Sequence, residues 1–177
     1  MNKIICFLLL ISSSVIATAQ EALMIPVTPS QQAIDFTLPT PNGKMINLSD
    51  YQGKYVLINF WANWCSPCIK EFPDMQKLYE QSDKDTFEII GIHAGPYNEQ
   101  AAELVSHFNI SFTIVSDDDT SLKGWDVPAL PMSYLISPQG DIIFKSLGPR
   151  EWNASNMQAL ISTYEASLSN RDLISRK

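Results

Sequence analysis

The chain has 177 residues, enough for one domain with a substantial core and short for two. Hydrophobic residues make up 45% and charged residues 18%, an ordinary globular balance that argues against bulk disorder. The net charge is −7 and no run of Lys or Arg occurs. That argues against nucleic-acid binding, which needs a basic face to neutralise phosphates.

Residues 1–19 have the parts of a signal peptide: Lys3 as a positive start, an apolar run from Ile4 to Ile11, and Ala17-Thr18-Ala19 as an A-x-A end. The competing reading is an uncleaved membrane anchor. It fits less well, because Ser12, Ser13 and Ser14 break the apolar core, whereas a spanning helix wants about 20 apolar residues. Cys6 would leave with the peptide. The exported chain then has two cysteines, Cys65 and Cys68, in a periplasmic or other extracytoplasmic compartment where cytosolic thiols do not hold them reduced. Residues 20–34 contain Pro26, Pro29 and small polar residues, and read as a linker or extended arm. A single folded domain is expected over 35–170, followed by a tail at 171–177.

Phe36 to Leu48, with Asn42-Gly43 at its centre, reads as a β-hairpin extension, since Asn-Gly supplies positive φ angles for a tight turn. Tyr55 to Trp61 is a continuous β-branched and aromatic run, the pattern of a strand buried on both faces. From Pro67 to Gln81 apolar residues recur at helical spacing, with Pro73 inside as an expected kink. A strand is expected over 87–92, a helix over 99–108 and a strand over 112–115. Gly91 and Gly95-Pro96 read as turn material. Asp117 to Gly124 reads as a polar connection whose three aspartates cap a helical turn. Met132 to Phe144 reads as a second hairpin around Pro138-Gln139-Gly140, and a closing helix spans 151–168. Strands alternating with helices predict one α/β domain, a mixed sheet covered on both faces.

Trp64-Cys65-Ser66-Pro67-Cys68 stands between a buried strand and the first turn of a helix. Free N–H groups and the positive end of the helix dipole stabilise a thiolate there. Cys65, expected at the exposed edge, is the candidate nucleophile, and Cys68, one turn in, the resolving thiol. Such a pair passes between dithiol and disulfide, as exchange chemistry requires. A purely structural disulfide would stabilise little across so short a loop. Half a zinc site lacks a second cysteine or histidine pair, and His93 and His107 are the only histidines. His93 reads as a surface or strand-end residue.

The segment Asn59 to Pro73 resembles the active-site region of the TlpA/ResA-like branch of the thioredoxin superfamily. Asn42 to Lys54 resembles its lead-in, and Val127 to Ile136 its cis-proline strand. The resemblance covers Asp35 to Leu168. It implies a thioredoxin-like fold, a central mixed β-sheet flanked by helices, and thiol-disulfide oxidoreductase activity through Cys65 and Cys68. It implies a cis bond between Leu130 and Pro131 beside the substrate; Pro128 is the competing proline, and a plain strand start the competing role. It makes Glu71 a functional carboxylate that takes and returns the Cys68 proton, against the plainer reading of a solvated helix glutamate. Asn59 departs from thioredoxins, which commonly carry a buried Asp at that position. Trp64 reads as a lid over Cys65 or as a core aromatic; Trp61 reads as core.

The implied activity is reduction of disulfides in exported proteins, of the cytochrome c maturation or copper-site assembly type. A membrane thiol-disulfide donor would re-reduce a monomeric protein that needs no cofactor or metal beyond its cysteine pair. An oxidase or isomerase is the alternative in the same class. A copper metallochaperone is the alternative in another class, since thiolates suit copper(I). A peroxiredoxin would need a different cysteine setting.

Overall fold

The computed structural model describes residues 22–120 and 124–175. The signal-peptide reading of residues 1–19 lies outside them. In chain order the elements are β1 (Ile25–Gln32), β2 (Thr37–Pro39), β3 (Met45–Asn47), a 3-10 turn (Leu48–Tyr51), β4 (Tyr55–Trp61), α1 (Ser66–Gln81), β5 (Phe87–Ala94), α2 (Glu99–His107), β6 (Thr113–Asp117), β7 (Met132–Ile136), β8 (Asp141–Leu147) and α3 (Ala154–Ser175). Six strands form one sheet in the order β1-β8-β7-β4-β5-β6, and β2-β3 form a separate hairpin. β4 pairs in parallel with β5, and β5 with β6, while β7 runs antiparallel to both β4 and β8.

β4 explains the layers. Its side chains alternate across the sheet. Leu57 and Trp61 join one core with Phe72, Met75, Ala101 and Met157, so α1, α2 and α3 all lie on that face. Val56, Ile58 and Phe60 join a second core closed by Ile46, Leu48, Tyr134 and the partly buried Trp125 and Val127. The sheet is covered on both faces, but the long helices share one of them. Right-handed parallel crossovers stepping the same way from β4 to β5 to β6 put α1 and α2 together. The hairpin and its turn close the other face, with Gly43 at φ 84° where the tight turn needs it.

Several expectations are corrected. Of the two readings of residues 20–34, the extended arm holds and the free linker is corrected: β1 occupies 25–32 and pairs antiparallel with β8. Its side chains are almost all exposed, so no apolar alternation marks it, and an edge tolerates Pro26 and Pro29. Met24, just before it, is buried in the helix-side core. Gly91 is no turn residue but the middle of β5, opposite Asn59. The closing helix runs on to Ser175, into the span read as a tail, because neither Gly nor Pro interrupts residues 154–175. The expectation that Pro73 falls inside α1 holds, and the residue lies on the helix's exposed face. Asp117 closes β6 and Asp118-Asp119 form a turn, with the Thr120 N–H bonding the Asp117 carbonyl at 3.0 Å. The helical turn expected after them falls partly on residues 121–123, outside the described residues.

Candidate active site

β4 ends at Trp61, and after three intervening residues the chain enters α1 through Cys65, which is the helix N-cap. Pro67, with its preset φ and no N–H to satisfy, suits that first turn. The Cys65 Sγ accepts the backbone N–H of Cys68 at 3.3 Å, as a cap oxygen would. The two cysteines form a disulfide with Cα atoms 5.3 Å apart. Cys68 is fully buried and Cys65 is 5% exposed. The expectation that Cys65 lies at an exposed edge is therefore corrected: in the disulfide both sulfurs are nearly enclosed, and Cys65 is the more accessible. Trp64, beside them, is 72% exposed, which removes the core-aromatic reading. Trp61 is the core residue, packed edge-on against Phe72 at 4.8 Å.

The Leu130–Pro131 bond is cis. Pro131 leads directly into β7, where Met132 pairs with Phe60 and Ser133 with Asn59. The cis-proline, the end of β4 and the disulfide thus share one end of the sheet. The Gly148 N–H bonds the Pro131 carbonyl at 2.9 Å, which ties that end to the exit of β8. Leu130 is half-buried and packs against both cores.

Glu71 stands one turn after Cys68 on α1 and is 2% exposed, not solvated. Its Oε1 accepts the Arg150 backbone N–H at 2.7 Å and the Trp152 indole N–H at 2.8 Å. Its Oε2 accepts from Asn59 Nδ2 at 3.5 Å, and the same amide donates to Ser133 Oγ at 3.0 Å. Burial pushes the carboxyl up to about 7, against the lowering effect of those donors. Local spacing could locate Glu71 but not Arg150, Trp152 or Ser133, which come from distant parts of the chain. Of the two readings of His93, the strand-end one holds and the surface one is corrected: it is a buried residue near the end of β5, packed on Trp61 at 4.8 Å, and burial lowers its pKa. Among the described residues no three of His, Cys, Asp and Glu come together as a metal-binding group.

A family model described as the AhpC/TSA family matches residues 29–145. The thiol-disulfide oxidoreductase ResA of Bacillus subtilis (strain 168) is 36% identical over 118 residues, 66% of each chain. ResA of Geobacillus kaustophilus is 36% identical over 117 residues, 66% of this chain and 67% of its own. The match thus spans about two thirds of these curated relatives. Among solved structures, a putative thiol:disulfide interchange protein DsbE from Chlorobium tepidum superposes with a TM-score of 0.64 at 27% identity, over 78% of this chain and 96% of that one. StoA from Bacillus subtilis superposes with a TM-score of 0.60 at 27% identity, over 74% and 98%. These likenesses confirm the thioredoxin-like fold. An enclosed C-x-x-C disulfide at a helix start, on that fold and with those relatives, places the chain in the AhpC/TSA family as a thiol-disulfide oxidoreductase of the ResA type.

Proposed function

We propose that the protein works outside the cytoplasm as a monomeric reductant of disulfides in exported proteins, with no cofactor beyond its own cysteine pair. The observation that carries the exchange chemistry is the position of the Cys65 sulfur; the reducing direction is what the resemblance implies. It caps α1 and already receives the Cys68 N–H, so a Cys65 thiolate forms in a place built to hold negative charge. In the reduced protein, Cys65 thiolate attacks one sulfur of a substrate disulfide. A mixed disulfide forms and the other substrate sulfur leaves as a thiolate. The Glu71 carboxylate takes the proton of Cys68. The Cys68 thiolate then attacks Cys65 Sγ, which forms the Cys65–Cys68 disulfide and releases the second substrate thiolate. Two electrons pass to the substrate. A membrane thiol-disulfide donor returns them by the reverse exchange. Trp64, Leu130 and cis-Pro131 line the docking site, where the backbone beside Pro131 offers strand pairing to an extended substrate segment. Apocytochrome cysteines and copper-site assembly thiols are the substrate classes that the resemblance implies.

The oxidase reading is supported by the same cap: stabilising a thiolate favours the reduced state and raises the potential. Equilibration against thiol buffers decides between them. A potential near or below about −250 mV is expected of the reductant, and one near about −120 mV would make the protein a disulfide donor. If no reversible disulfide forms and copper(I) binds tightly to Cys65 and Cys68, the metallochaperone reading replaces both.

A further inference from the structure

His93 stands near the end of β5, in register with Trp61, the last residue of β4. Its ring is 1% exposed, wedged edge-on between the Trp61 and Tyr97 rings at 4.8 and 6.0 Å. Nδ1 lies 2.8 Å from the Gly95 carbonyl oxygen. A carbonyl only accepts, so Nδ1 carries the proton and Nε2 is left as an acceptor. That acceptor receives the backbone N–H of Asn63 at 3.4 Å.

Asn63 lies two residues before Cys65, in the short loop from β4 to α1. Its side chain is held separately. Nδ2 donates to Asn98 Oδ1 at 3.3 Å and to Gln100 Oε1 at 3.0 Å, at the start of α2. Asn98 is itself fixed as the cap of α2, accepting the Ala101 N–H at 2.9 Å. One loop residue is thus pinned by its main chain to β5 and by its side chain to α2. The next fixed point is the Cys65 N–H, which bonds the Ala62 carbonyl at 3.0 Å.

Resting on the exchange reaction proposed above, we propose that His93 is a positioning residue for it: the neutral imidazole holds Asn63, and through it the loop that sets the Cys65 sulfur at the head of α1. A second proton on the ring would turn Nε2 into a donor facing the Asn63 N–H, donor against donor, and the latch would open. Asp118, on the turn after β6, is the charged group that favours that second proton. From β6, Ser116 stands in register with His93, and Asp117 in register with its neighbour Ala94. Tyr97 is the titratable group on the segment before α2, and Trp61 on β4 brings no charge. Burial outweighs Asp118 and keeps the ring neutral. The latch therefore holds at neutral pH and opens in acid.

The test uses the full chain, reduced, reacting with 5,5′-dithiobis(2-nitrobenzoate) as the disulfide probe, from about pH 5 to pH 8. His93→Phe keeps an aromatic ring but removes the acceptor. His93→Gln offers an amide N–H to Gly95 and an oxygen to Asn63, and does not titrate. We expect His93→Phe to slow Cys65 about tenfold at neutral pH, as a displaced nucleophile does, and His93→Gln to recover most of the rate. The ratio of wild-type to His93→Gln rates should fall as the pH drops below 6.5. The Asn63 amide should be protected from hydrogen exchange in the wild type and in His93→Gln, and unprotected in His93→Phe. The proposal is overturned if His93→Phe reacts like the wild type, or if His93→Gln is as slow as His93→Phe. A rate loss that only follows the unfolded fraction seen by circular dichroism overturns it too. If the wild type does not react, or Cys65→Ser reacts equally well, the exchange reading fails instead. The Asn63 protection and its titration still decide whether the latch exists.

Discussion

Glu71 is a buried carboxylate with three hydrogen-bond donors around it, and the opposition between them sets what it can do. Burial drives the proton on; the Arg150 N–H, the Trp152 indole and the Asn59 amide favour the charge; the balance falls at about 7. A base poised there accepts a proton from a thiol and returns it within one catalytic cycle. Glu71→Gln keeps an oxygen for Arg150 and Trp152 but takes no proton. In stopped-flow measurements we expect it to slow resolution of the mixed disulfide by about a hundredfold and to abolish a pH step near neutrality. The step by which Cys65 first attacks should change far less. Equal slowing of both steps would show that the carboxylate acts on the fold and not on Cys68. That Cys65, Cys68 and Glu71 stand together at one helix start was legible in the sequence, because they are spaced three residues apart on one local element; the roles given to them come from the resemblance and are what these experiments test. The side chains that give Glu71 its character were not legible. Trp152 and Arg150 lie 81 and 79 residues away, and only the tertiary fold brings them there. The burial of His93 was illegible for a related reason: its place at a strand end can be read locally, but a lone histidine carries no periodicity that reports which ring surrounds it.

Elements were legible where both faces of a strand are buried. β4, β5 and β7 are buried almost throughout and rich in β-branched and aromatic residues, and the helical spacing of 67–81 marks α1 to within a residue. β1 escaped because an edge strand that exposes its side chains is held mainly by backbone pairing, helped by the Gln32 side chain donating to the Gly140 carbonyl at 2.8 Å. Its amides should accordingly exchange with solvent much faster than those of β4, which is paired on both sides. Native-state hydrogen exchange would show this, and equal protection of the two strands would mean that β1 folds as part of the central unit. Gly91 escaped for the opposite reason. Its role is the space it leaves, not the turn it makes. A Cβ there would meet Ile114 Cδ1 at 2.8 Å, Phe112 at 3.2 Å and the Trp61 indole nitrogen at 3.3 Å. The missing side chain leaves room for the Trp61 indole, which packs at steep angles against His93 and Phe72. Gly91→Ala should cost about 1–3 kcal/mol in chemical denaturation, the ordinary penalty for overpacking a core. It should also disturb Asn63, since the Trp61–His93 pair moves with it. No loss of stability would mean that β5 has room that these distances deny.

Across the whole molecule, the site's chemistry sets how stability varies with pH. Glu71 titrates at about 7 in the folded chain against 4.5 as a free side chain. Below the lower value both states hold the proton and the group is neutral to stability. Between the two values the folded chain keeps a proton that the unfolded chain releases, so stability falls as the pH rises. Above the higher value both are ionised and the full penalty stands, about 3 kcal/mol at about 1.4 kcal/mol per pH unit. Glu88 is raised in the same direction by burial and adds to that slope. His93 works on the other side. Its folded pKa is lowered, so stability is lost as the pH falls below 6.5 and the unfolded chain takes up the proton first. Glu71→Gln removes the largest of these contributions without emptying the site. The variant should therefore be more stable than the wild type at pH 8, and that advantage should shrink by a few kcal/mol on going to pH 5, where the wild-type carboxyl is already neutral in the fold. Urea denaturation of the oxidised forms at the two pH values measures it. A constant difference between the variant and the wild type would mean that Glu71 does not change its charge in the folded protein over this range, and a group that does not change its charge there cannot carry the Cys68 proton.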